Sequence, residues 1–178
     1  MALRPTASFR RHAGLVRSVL ASPSERRLMV RMVVWRLLVT TLKHGLGITR
    51  LVAFAGGVPA GSAAGWLPER ERIVELAALV CRPRLLRSSD NCLDRSLLAY
   101  RYLIAAGVRS SLVIGLGRSE DVVLGHAWLT IDGRRVGDSH GPLGPFTEIL
   151  RFTSEPQPTA ARGTDDRGRR GAARARNP

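Results

Sequence analysis

"CLDRSLLAYRYLIAAGVRSSLVIGLGR", Cys92–Arg118, and shortly after it "HAWLTIDGRRVGDS", His126–Ser139, hold the change from a 3.6-residue to a two-residue apolar period. In the first stretch Leu93, Leu97, Leu98, Ala99, Tyr102 and Leu103 recur at helical spacing. Ser89 or Asp90 can cap the start of that helix and Gly107 its end, which puts Cys92 in the first turn. "SLVIGLGR" and "HAWLTI" then read as strands, and the Asp-Gly after the second is a hairpin signal. Helices followed by a short meander of strands make an α+β chain.

Working outward, Pro83 breaks the chain before this unit, and "ERERIVELAALVCR" ahead of it is a helix that turns Ile73, Leu76, Ala77 and Val80 inward. Gly56–Gly65 is a glycine-rich loop. Further back, "SERRLMVRMVVWRLLVTTLKHG" reads as a helix capped by Ser24 and stopped at Gly45. Arg36 and Lys43, with Arg50 beyond, recur every seven residues, and this shared face is expected to be a solvated charged stripe or a docking surface. The ends lack apolar periodicity. The expected organisation is a basic arm over 1–23, a helical region over 24–82, an α+β core over 83–153 and an Arg-rich disordered tail over 154–178.

With 178 residues, 44% of them apolar, the chain is long enough for one packed core. Lys and Arg number 28 against 14 Asp and Glu, a net charge of +14 that attracts acidic partners. Two cysteines are too few for a secreted disulfide scaffold or a structural zinc site, which points to a reducing, cytoplasmic setting. No secretory signal is expected, since the basic start lacks a continuous apolar core and a small-residue cleavage site, and no membrane span, since the longest uncharged stretch, Leu51–Pro68, is broken by glycines and prolines. Aromatics at 5% leave few platforms for nucleic acid, so no specific nucleic-acid partner is expected.

A thiol in the first turn of a helix has its thiolate stabilised by unpaired backbone N–H groups and the positive end of the dipole. A cysteine hydrolase also needs an imidazole to take the proton and a third group to fix that imidazole. His126 and Asp138 are the candidates beside Cys92. If Asp132–Gly133 form a two-residue turn, Ile131 pairs with Arg134, and Asp138 falls opposite Ala127, away from the face of His126. If Ile131–Asp132–Gly133 form a three-residue loop with Gly133 in a bulge, Thr130 pairs with Arg134 and His126 stands opposite Asp138. The sequence is compatible with both. In that second register the face of His126 also carries Trp128 and Thr130 toward a cleft, while Ala127, Leu129 and Ile131 form a core face. Asp132 competes for the acid role but has a full turn explanation, and His140 for the imidazole role without a regular element to hold it. Asp94, near the positive helix end, and Arg95, a surface cation, need no catalytic role, and Cys81 reads as core.

The order of Cys at a helix start, His-Ala-Trp on a strand and Asp on the next resembles the papain-like transglutaminase-core superfamily. Within it, Leu86–Ser139 resembles the lasso-peptide leader peptidases, through Cys-Leu-x-Arg-Ser-Leu and His-Ala-Trp with the Gly-Val and Ile-Gly words between. The resemblance implies an α+β transglutaminase core with N-terminal helices packed on a small antiparallel sheet. It implies Cys92 as nucleophile, His126 as general base and acid, and Asp138 as orienter, with no metal or cofactor. The implied partners are a lasso precursor peptide, a small leader-binding protein and an ATP-dependent cyclase. Peripheral membrane contact is left open but not expected. The competing readings are a transglutaminase-like amide transferase, a basic nucleic-acid-binding module and a non-catalytic scaffold.

Overall fold

The computed structural model describes residues 22–81, 92–119, 122–137 and 146–154. Four helices, α1 (Pro23–Leu42), α2 (Ile48–Gly56), α3 (Arg70–Val80) and α4 (Cys92–Ala105), precede four strands, β1 (Ser111–Ser119), β2 (Val122–Ile131), β3 (Arg134–Val136) and β4 (Thr147–Thr153). The strands form one antiparallel sheet in the order β3-β2-β1-β4. The molecule is an α+β protein.

α4 lies between the other helices and the sheet. Leu97, Leu98 and Leu103 are fully enclosed, and the buried cluster they join runs from Leu28 and Met32 on α1, through Ile73 and Leu76 on α3, to Leu112, Leu129 and Ile131 on the strands. Gly107 terminates α4 with φ +80°, a left-handed conformation that glycine adopts without a Cβ clash. α3 turns Ile73, Leu76, Ala77 and Val80 inward as its periodicity requires. Cys81 is buried at the end of α3, and Cys92 is partly buried.

α1 departs from expectation in two ways. Its cap is Ser22 rather than Ser24: the Glu25 N–H donates to Ser22 Oγ at 3.4 Å, and Pro23 occupies the first helical position. A proline there loses no hydrogen bond and its fixed φ already suits the helix. Two of the three recurring cations also point inward. Arg36 is 2% exposed, and its Nη1 donates to the Val80 carbonyl at the C-terminus of α3. A guanidinium there satisfies an orphan carbonyl and meets the negative end of the α3 dipole. Lys43 Nζ lies 3.3 Å from the carboxylate of Asp94, which is 1% exposed on α4. Arg50 is exposed on α2, a short helix absent from the sequence reading. At its other end, α1 is tied to α3 by Arg72, whose Nη2 and Nε donate to Glu25 at 2.6 and 3.0 Å.

The β2–β3 hairpin closes through a two-residue turn. Asp132 and Gly133 have φ +50° and +75°, and Ile131 pairs with Arg134. Two left-handed central residues suit the twist of the flanking strands, and Asp-Gly is well matched to that geometry. β4 was not anticipated. It pairs with β1 across a long sequence separation, and its end is clasped by reciprocal bonds between Ser110 and Ser154 at 3.0 to 3.1 Å.

Candidate active site

Helix α4 begins at Cys92, so the thiol stands in its first turn. One turn further on, Ser96 Oγ donates to the Ala127 carbonyl at 3.0 Å, fixing the start of the helix against β2. Residues four apart share a helix face and differ by about 6 Å in rise. Cys92 therefore lies one turn from a residue bonded to the immediate neighbour of His126. Asp94, in the same first turn, is held by Lys43 from α1. That pair was not legible as an anchor, because an acid two residues past a helix start already has a favourable interaction with the dipole.

Strand β2 is buried on both faces from His126 to Ile131, so Trp128 and Thr130 do not line the open cleft expected of them. Leu129 and Ile131 belong to the core beside the helices. His126, Trp128 and Thr130 share the other face, and all three are buried. The His126 ring packs against Trp128, with centroids 6.0 Å apart and planes 20° apart, and against Phe146 at 5.0 Å and 31°. Two glycines of β1 make room for these rings. Gly115 pairs with His126, and a Cβ built on it would lie 2.7 Å from Trp128 Cη2; one on Gly117 would lie 2.8 Å from Phe146 Cδ1. The Ile-Gly-Leu-Gly word is thus the floor on which the aromatic wall of His126 rests. Sequence reasoning missed this, although glycine at two successive same-face strand positions was its signal.

The wall is bordered by cations. The Arg135 guanidinium stands 4.1 Å from the Trp128 ring centre, and Arg151 Nη1 donates to Thr130 Oγ1 at 3.3 Å. Arg151 also forks onto Glu148 at 2.5 and 2.8 Å, and these hydrogen bonds hold the Glu148 carboxyl below its ordinary value and the Arg151 guanidinium above its own. Leu124, exposed on the same face as His126, continues the apolar surface toward the β1–β2 hairpin. A groove of about 600 Å³ follows the edge strand β3, with Val74, Ile131 and Val136 among its walls and Arg70, Glu71 and Arg134 on its rim.

Of the three predicted site residues, the structure brings the helix carrying Cys92 against the strand carrying His126, while the His126 ring itself lies on the sheet face opposite the helix-packed core, against Trp128 and Phe146. Asp138 lies outside the described residues. The register is the two-residue one, so the bulged loop that would have set His126 opposite Asp138 does not form. The β3 ladder stops at Val136, and Gly137 takes φ +75°, which interrupts strand alternation one residue before Asp138. Asp132 sits exposed in the turn, 3.6 Å from Arg70, in keeping with a turn role. Among the described residues no three His, Cys, Asp or Glu side chains gather as a metal site. No described helix is long and apolar enough to cross a membrane.

Residues 29–151, well over half of the chain, match the family model described as the Transglutaminase-like superfamily. The chain belongs to that superfamily. The match begins in α1 and ends in β4, so helices and sheet fall within one transglutaminase-like domain. Transglutaminase-like proteins are in general cysteine-dependent enzymes, of papain-like peptidase or acyltransferase kind. No curated protein and no solved structure matches the chain.

Proposed function

We propose that this transglutaminase-like protein is a cysteine peptidase that removes the leader from a lasso-peptide precursor in the cytoplasm, before an ATP-dependent cyclase closes the freed core. The observation that carries the reading is the placement of Cys92 at the mouth of α4, with Ser96 holding that helix to the residue beside His126. The Cys92 thiolate attacks the scissile carbonyl, and the backbone N–H of Cys92 helps to hold the oxyanion. His126, having taken the thiol proton, gives it to the departing amine of the core peptide. The leader is left as a thioester on Cys92. Water then adds to the thioester, His126 takes its proton, and the leader leaves as a carboxylic acid while the thiol is restored. Asp138 fixes the imidazole tautomer in this scheme.

The groove beside β3 supports an extended peptide substrate, because an edge strand offers unpaired main-chain groups and this one is flanked by apolar walls with a charged rim. The test is mass spectrometry of a lasso precursor incubated with its leader-binding protein and either the wild-type chain or Cys92→Ala. Leader loss with the wild type alone supports the reading, and equal cleavage by both excludes Cys92 as nucleophile. A primary amine added to the same reaction separates the classes. A free leader carboxylate marks a peptidase, whereas a leader amide as the main product marks an acyl transferase.

A further inference from the structure

Helix α1 is apolar on two opposite sides. Its inner side carries Leu28, Met32, Trp35 and Val39 into the core. Its outer side carries Val30, Val34, Leu37 and Leu38, exposed at 63%, 61%, 48% and 43%. At 3.6 residues per turn these four fall within about 100° of arc, so they form one stripe. One turn earlier Arg27 occupies the same arc and Arg26 borders it, and both are exposed. Thr41 extends the stripe, but its hydroxyl already donates to the Leu37 carbonyl at 2.7 Å. An outward helix face of a soluble domain is ordinarily polar, and a contiguous apolar stripe marks a contact surface.

The chemistry of this surface selects its occupant. From residue 26 to residue 68 the sequence contains no Asp or Glu, and Glu25, at the head of the helix, is held by Arg72. Along the segment that carries the stripe the charges are thus positive only. A second copy of a chain carrying +14 would be repelled. Valine and leucine offer nothing for nucleic-acid bases to stack on. Aliphatic side chains flanked by arginines instead match the acyl and headgroup layers of an anionic membrane, where a helix lies in the plane of the interface. We propose that the outer face of α1 is a docking surface for an anionic lipid bilayer.

The proposal is independent of the peptidase reading and is tested without a substrate. The full chain is sedimented with sucrose-loaded vesicles of phosphatidylcholine alone or mixed with phosphatidylglycerol. The expected result is binding to the mixed vesicles, weakened at least tenfold in V34D/L37D and in R26E/R27E, with the fold of each variant checked by circular dichroism. Leu37→Trp, which leaves the stripe apolar, is expected to shift its emission to the blue on adding mixed vesicles. Undiminished binding of V34D/L37D together with an unshifted Leu37→Trp emission overturns the proposal, since the basic charge elsewhere in the chain would then account for binding. Absence of vesicle binding also overturns it. So does self-association or capture of an acidic protein through the stripe in place of lipid.

Discussion

Helices α1 and α4 are built from similar residues and meet different fates. α4 buries ten of its fourteen residues, whereas α1 buries five of its twenty. The difference is one of layer. α4 has helices on one side and the sheet on the other, so its whole circumference finds neighbours, including polar ones at its head. α1 has the core on one side only, and its outer valines and leucines have no covering layer among the described residues. Apolar content thus states that a helix has something to bury, while the stacking of elements states how much of it is buried within the chain.

The comparison is broken most severely inside α4. Leu97→Ala removes an enclosed side chain from the centre of the core, and a loss of about 2 to 5 kcal/mol is expected in urea unfolding. Lys43→Ala leaves the buried Asp94 carboxylate without its cation, and about 3 kcal/mol is expected, set at the low end because Lys43 is itself partly exposed. Adding Asp94→Asn to that variant recovers part of the loss, which a double-mutant cycle measures. Ser96→Ala breaks the single hydrogen bond from α4 to Ala127 and costs about 1 kcal/mol. The same variant is expected to alter the alkylation rate of Cys92 by iodoacetamide more than Thr41→Ala does. Val34→Ser, on the outer face of α1, shifts stability by less than about 0.5 kcal/mol, so one substitution of an apolar residue is severe in one helix and silent in the other.

Much of this was legible because it is local. The α4 pattern, its Gly107 stop, the inward face of α3 and the two faces of β2 follow from periods of 3.6 and 2 that each segment carries within itself. What the sequence hid depends on partners distant along the chain. Arg36 and Lys43 looked solvated because nothing near them shows that the end of α3 and the first turn of α4 lie underneath. β4 was missed because most of its side chains are exposed and its partner β1 lies far back in the chain. The hairpin register stayed open since Asp-Gly suits two loop lengths, and the positive φ values of both residues select the shorter. At the site, Cys92 and His126 were nameable from residue type and position, but the Gly115–Trp128 and Gly117–Phe146 packing behind His126 needs the sheet to be assembled.

The clasp between Ser110 and Ser154 joins the start of β1 to the residue after β4. The ribosome makes these two ends more than forty residues apart, with β1 first. Without β4 the β1–β2 hairpin has one strand rim unpaired, and only a chain that extends through Ser154 covers it. Stalling or early termination before Thr147 would leave that rim as a template for strands from other chains, so the last few codons of the domain guard against aggregation as much as they complete its shape.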